Sequence, residues 1–407
     1  MTQAFRPRGT RILARLIAFS AFAVCGCASM RMNAPSIDLR PCTDGFAYTD
    51  DGWRLGIRHY RPEHPDPRKL PVVLCHGLGL NGTFWTITDA HLPSQLVAHG
   101  YEVFVPDLRG SGSSRRVGRI GQVNEIIRQT PLLAIKEAEW TVDDLAMYDV
   151  PAILDYVQAA TGRDRVNWVG HSLGGMLMFA HLERAAHPER IATFVGMGST
   201  IAQAEVPQRD MLRANHALRT LCRLVSTSRM ARPMSVARPP GLGRVDAFYY
   251  TSTNVDRRTI SRFYGYVLED LSKGALKQLD PYLARGHFLS ADGTIDYVHE
   301  SKGLTTPTLL IAGEADIMSD IPSTIITYEG IGSPDKTLMR FGKREGQIDD
   351  YGHCDLVWSR HAPHEIFPPL IDWLDRRQPG VLASPQHPPQ VVPSQQLPSS
   401  QSVASPT

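Results

Sequence analysis

The pentapeptide Gly170-His171-Ser172-Leu173-Gly174 constrains this chain more than any other feature. It follows the largely apolar run 166–169 and leads into a helix-like stretch over 177–184. A serine so placed sits where a buried strand turns sharply into a helix. Small residues two before and two after it let the backbone take a strained turn, which pushes the hydroxyl out at the carboxyl end of a sheet, above a helix amino terminus. A hydroxyl in that position is a nucleophile that needs a base.

The base must in turn be oriented by an acid, and on sheets of this kind the partners follow in the order serine, acid, histidine. Residues 308–312 read as a buried strand followed by Gly313-Glu314-Ala315-Asp316, so Asp316 falls at a strand's carboxyl end and is the expected acid, ahead of Glu314 and Asp320. The histidine is expected in a loop after the last strand, near 337–341. Gly352-His353-Cys354-Asp355 fits, because glycine before the ring leaves room for the loop to lean over the serine; a loop histidine bonded to Asp355 is the alternative. His361 and His364 read as surface residues. Two backbone N–H groups must already face the oxygen that gains charge during attack. Leu173 supplies one, and Leu78, in the loop His76-Gly77-Leu78-Gly79, is expected to supply the other. His76 reads as a brace for that loop.

The same loop contains Gly77-Leu78-Gly79-Leu80-Asn81-Gly82, which matches a dinucleotide-binding fingerprint, with Asp107 at roughly the expected distance. No apolar helical run follows Gly82, so a phosphate-binding helix is not expected. Asp107-Leu108-Arg109-Gly110-Ser111-Gly112 reads instead as a structural turn. A net charge of +2 over 407 residues supplies no field for nucleic acid.

Both ends lie outside the expected fold. Arg6, Arg8, Arg11 and Arg15 precede an apolar stretch, 16–24, that is short for a membrane span but suits an export signal. Val24-Cys25-Gly26-Cys27-Ala28-Ser29 resembles a bacterial lipoprotein signal. That resemblance implies a leader over 1–27, acylation of Cys27, membrane association through it and an envelope location; plain cleavage near Ala28 is the alternative. Residues 378–407 are rich in Pro, Ser and Gln and read as a disordered tail. Cys42, Cys75, Cys222 and Cys354 show no metal-binding spacing, and Cys75 reads as a core residue.

Between the ends, strand and helix alternate, which points to a mainly parallel sheet covered on both faces. A hairpin is expected over 46–60, and buried strands at 72–75, 101–105, 166–169, 191–196 and 308–312. A helix over 141–160 begins with a Thr141–Asp144 cap, turns Leu145, Tyr148, Ile153, Tyr156 and Val157 inward, is kinked by Pro151 and closes at Gly162. A last helix runs over 362–377. Core halves over 41–198 and 304–377 thus flank an insertion, 199–303, expected to cap the carboxyl ends of the strands. Its arginines, 209, 213, 219, 223, 229, 232 and 238, read as a solvated face or a contact for lipid head groups.

His76 to Gly79, Val105 to Gly110, Gly170 to Gly174, Gly313 to Asp316 and Gly352-His353 together resemble the α/β-hydrolase superfamily over roughly 46–377. Within it, residues 140–157 and 168–172 are similar to the acid lipases of the gastric and lysosomal type. The chain departs from them at Leu173, where glutamine is usual, and at Gly79, where leucine is usual. The resemblance implies an α/β-hydrolase fold with a cap and a carboxylic ester hydrolase acting on an ester or lipid, with no metal or organic cofactor. Residues 166–175 are also similar to polyhydroxyalkanoate synthases, in which cysteine stands at the position of Ser172; a hydroxyl there favours hydrolysis. Acyl transfer by the same residues and a non-catalytic envelope protein are the rival readings.

Overall fold

The computed structural model describes residues 42–117, 139–204, 227–236 and 243–379. The expected leader, Cys27, Cys222, residues 380–407 of the tail and the arginines at 209, 213, 219, 223 and 238 lie outside them, as does the side chain of Arg229.

Strands β1 (Cys42–Tyr48) and β2 (Trp53–Tyr60) form the expected antiparallel hairpin, turning through Gly52 at a φ of 89°. The remaining strands are β3 (Val72–Cys75), β4 (Val103–Pro106), β5 (Arg115–Arg116), β6 (Val166–His171), β7 (Ile191–Met197), β8 (Thr308–Gly313) and β9 (Lys336–Phe341). They join one sheet in the order β1-β2-β4-β3-β6-β7-β8-β9, with β5 added on β2. Pairing from β4 to β9 is parallel throughout.

The short, wholly apolar strands β3 and β4 follow from burial on both faces. Successive side chains point to opposite sides, so each face needs its own apolar cover. Val72 and Leu74 join one core with Val103, Val105, Leu96, Leu370 and Leu374, while Val73 and Cys75 join the other with Phe104, Ile153, Val157 and Leu177. Burial raises the Cys75 thiol well above its ordinary value, in keeping with a core residue.

The helix expected over 141–160 has a different interior. Its cap is present: the Thr141 N–H donates to the Asp144 carboxylate at 2.7 Å, and the Asp144 N–H donates back to the Thr141 hydroxyl at 3.1 Å. Leu145–Asp149 then widens into a π-helical turn, and Pro151 enters as the second residue of the regular helix Val150–Thr161. Proline lacks an N–H and crowds the preceding turn, so the wide turn takes the place of a sharp kink. The extra residue rotates the register. Tyr148 is therefore exposed rather than inward, and Val150, Ile153, Leu154 and Val157 carry the buried face. Gly162 closes the helix at a φ of 71°. The last helix is broken in two, Ala362–Glu365 and Phe367–Asp375, with Pro368 and Pro369 in the first turn of the second, where a missing N–H costs little.

The segment between β7 and β8 packs into both cores. Tyr250, Phe263, Tyr264 and Val267 join the first, where the Phe263 ring lies 4.9 Å from that of Trp358. Leu279, Tyr282, Phe288 and Tyr297 join the second. Among the described residues no helix is long and apolar enough to cross a membrane.

Candidate active site

Ser172 is the only non-glycine residue at positive φ among the described residues, with φ 54° and ψ −119°. That backbone costs about 1–3 kcal/mol and persists only where the surroundings over-determine it. Here they do. The Ser172 N–H donates to the Met197 carbonyl at 2.9 Å, the Ser199 hydroxyl donates to the Ser172 carbonyl at 2.9 Å, and the Trp168 indole donates to the Gly174 carbonyl at 3.0 Å. The flanking glycines are required by space. A Cβ on Gly170 would lie 2.1 Å from the Gly174 oxygen, and one on Gly174 would lie 2.4 Å from the Cys75 oxygen. The turn therefore drives the helix Leu173–Arg184 directly against the end of β3.

The loops after β8 and β9 cross tightly. The Ala315 N–H donates to the Tyr351 carbonyl at 2.9 Å, and a Cβ on Gly313 would lie 2.2 Å from that same oxygen. The crossing brings Asp316 to His353, with Oδ2 2.8 Å from Nδ1 and both residues buried. Oδ1 of Asp316 accepts from the backbone N–H groups of Met318 and Ser319, each at 2.9 Å. These two donors fix the carboxylate's rotation, so Oδ2 is left for the ring. A proton on Nδ1 satisfies that contact and leaves Nε2 as an acceptor.

The competing acids go elsewhere. Asp320 caps the helix Ile321–Gly330 by accepting from the Ser323 N–H at 2.7 Å, and Glu314 lies 3.9 Å from Arg344. Asp355 is not the partner of His353 either; it pairs with Asn254 at 2.6 Å. His361 is half-buried and His364 exposed.

His353 is tied to the serine's own strand. The His171 Nε2 donates to the His353 carbonyl at 2.9 Å, and the two rings lie 4.7 Å apart. Burial holds His171 well below the ordinary histidine value, which favours the neutral ring. A Cβ on Gly198, which has a φ of 56°, would lie 3.1 Å from the Asp316 Oδ2 and 3.2 Å from the His353 Nδ1. Glycine at the end of β7 thus leaves the space in which the pair meets.

Leu78 and Leu173 line a shallow cleft together with Trp140, Leu145 and Glu269. Leu173 opens its helix, so its N–H has no partner four residues back within that helix. His76 braces the other loop. Its Nδ1 donates to the Gly77 carbonyl at 2.9 Å and its Nε2 accepts from the Leu108 N–H at 3.1 Å, while burial lowers its pKa and keeps it neutral. The glycine pattern after β3 is occupied by the protein itself: Gly82 N–H donates to the Asp107 carboxylate at 2.8 Å, and a short 3-10 turn, Gly82–Thr86, follows. No group of three or more His, Cys, Asp or Glu among the described residues is arranged to hold a metal.

Residues 71–359 match the α/β hydrolase fold family. The chain belongs to that family. The gastric triacylglycerol lipase of Rattus norvegicus is 23% identical over 377 residues, spanning 82% of this chain and 88% of that protein. The lysosomal acid lipase/cholesteryl ester hydrolase of Homo sapiens is 29% identical over 175 residues, 40% of each chain. A soluble variant of the monoglyceride lipase of Saccharomyces cerevisiae, solved with a substrate analogue, superposes on this α/β-hydrolase with a TM-score of 0.53 at 16% identity, covering 85% of this chain and 98% of the other. That last likeness is one of fold.

Four residues of this α/β-hydrolase's site escape a reading of its sequence: His171, Ser199, Asn254 and Glu269. Each acts across a chain separation of tens of residues or more through a few hydrogen bonds. Nothing periodic marks them.

Proposed function

We propose that this α/β-hydrolase is a carboxylic ester hydrolase, an esterase or lipase, that works through an acyl-serine. The observation that carries this reading is the meeting of a buried, backbone-oriented Asp316 with the Nδ1 of His353, on a loop bonded to the strand that ends at His171, just before Ser172. In this mechanism the Nε2 of His353 takes the Ser172 proton as the oxygen attacks the ester carbonyl. Asp316 stabilises the imidazolium that results. The N–H groups of Leu78 and Leu173 stabilise the oxyanion, and each such donor is worth about 100- to 1,000-fold in rate. The proton then passes from His353 to the departing alcohol. Water, deprotonated by the same ring, attacks the acyl-serine, and the ring passes that proton to the departing Ser172 oxygen as the acid is released.

In the same reading the segment 199–303 caps the cleft, the leader 1–27 directs export to a bacterial envelope, and Cys27 carries the lipid that holds the chain at a membrane. The lipase names of the relatives support an ester or lipid substrate. Hydrolysis of p-nitrophenyl esters of increasing chain length by the wild type and by Ser172→Ala tests the reaction and the depth of the pocket together. Turnover that survives Ser172→Ala sinks the mechanism. Loss of metabolic palmitate labelling in Cys27→Ser tests the anchor.

A further inference from the structure

Loops that carry oxyanion donors must be held to within a fraction of an ångström, because a donor misplaced by that much loses most of its effect. The loop after β3 is fastened on one side by the His76–Leu108 bond. Its other side is held by the segment between β7 and β8, through Glu269. The Glu269 N–H donates to the Gly79 carbonyl at 2.7 Å. Its Oε1 accepts both from the Asn81 side-chain amide at 2.9 Å and from the Gly112 N–H at 2.9 Å. Asn81 is buried and also donates to the Tyr266 carbonyl at 2.8 Å, while its own oxygen caps the 3-10 turn by accepting from the Thr83 N–H at 3.0 Å. Gly79, at a φ of 67°, admits the strap closely: a Cβ there would lie 2.4 Å from Leu271.

We propose that Glu269 is a positioning residue for the oxyanion loop, clamping Gly79 and Asn81 to Gly112 so that the Leu78 N–H stays aimed at the reacting oxygen. This rests on the ester-hydrolase reading. Two loops from adjacent strands, β3 and β4, close on a single carboxylate oxygen. That geometry separates acceptor from charge: the amide oxygen of glutamine can take both bonds, whereas aspartate, one methylene shorter, cannot span them while the backbone of residue 269 stays bonded to Gly79.

The test compares Glu269→Ala, Glu269→Asp and Glu269→Gln in the full-length protein, with kcat expressed per serine titrated to completion by a fluorophosphonate. Alanine and aspartate should lower kcat about 10- to 100-fold with KM within about 3-fold, the pattern of a lost transition-state contact. Glutamine should stay within about 3-fold of wild type in kcat. Aspartate keeps the charge and much of the bulk, so the comparison survives if alanine fails to fold. Alanine or aspartate at wild-type kcat per titrated site overturns the proposal, and so does glutamine falling as far as they do. A wild-type enzyme that neither hydrolyses esters nor takes the label at Ser172 overturns the hydrolase reading and this proposal with it; an active wild type with unaffected variants overturns this proposal alone.

Discussion

The side-chain amide of Asn254 donates to the Asp355 carboxylate at 2.6 Å, and neither residue has any solvent-exposed surface. The same amide nitrogen donates to the Asp350 carbonyl at 2.7 Å, and the Cys354 N–H donates to the Tyr249 carbonyl at 2.6 Å. The loop bearing His353 is thus fastened on both sides to the segment between β7 and β8. Asn254→Ala strips a buried carboxyl of its closest donor, which should cost about 2–4 kcal/mol of stability. Urea unfolding measures that loss, and ester turnover per folded molecule should fall as the loop loosens. Unchanged unfolding would show that the pair contributes nothing.

Burial raises the Asp355 carboxyl to about 7, against the lowering influence of Asn254 and nearby backbone donors. A raised carboxyl keeps its proton in the folded chain while the unfolded chain has already released its own. Stability therefore falls as pH climbs from about 4 to about 7, and levels off above that. Asp355→Asn carries no such proton. Its melting temperature relative to wild type should rise between about pH 5 and about pH 8, and a constant difference would contradict the shift.

Gly174 and Gly162 make a contrasting pair. A Cβ on Gly174 meets backbone oxygens of Cys75 and His76 at 2.4 and 2.7 Å, whereas one on Gly162 meets nothing within 4 Å and suffers only from its φ of 71°. Gly174→Ala should cost more than about 3 kcal/mol or prevent folding, and Gly162→Ala about 1 kcal/mol. Thermal melts of the two variants check the order.

Arg109 is 2% exposed and bridges two carboxylates. Its Nε donates to the Asp149 carboxylate at 2.7 Å and its terminal nitrogens to Asp51 at 2.6 and 3.0 Å. Even so, burial keeps Asp149 raised to about 6. Arg109→Ala leaves that buried charge unpaired and should cost about 3–5 kcal/mol, with Arg109→Lys failing to restore it because lysine lacks the planar fork. Asp149→Asn in the alanine background should recover part of the loss. Denaturant midpoints of the single and double variants decide the matter.

Much of the sheet was readable because its information is local. Largely apolar runs of four to six residues mark β3, β4, β6, β7 and β8, and the hairpin turn announces itself in Asp50-Asp51-Gly52. The tight turn at Ser172 is legible for the same reason, since the steric demand on Gly170 and Gly174 falls within five residues. Asp316 and His353 could be placed only as loop positions after strands, and folding brings their side chains to 2.8 Å. The π-helical turn before Pro151 was not legible, because proline dictates a disturbance without dictating its form. Glu269 and Asn254 were not legible either. Their partners are 188 and 101 residues away, and one hydrogen bond leaves no pattern in composition.

The left-handed backbone at Ser172 also limits which atoms evolution can place there. A β-branched side chain is a genuine outlier at positive φ, so threonine, though it carries a hydroxyl, is shut out on steric grounds. Cysteine has the same unbranched outline as serine and meets no such barrier. The turn therefore leaves oxygen and sulfur as interchangeable at this position while forbidding a single added methyl.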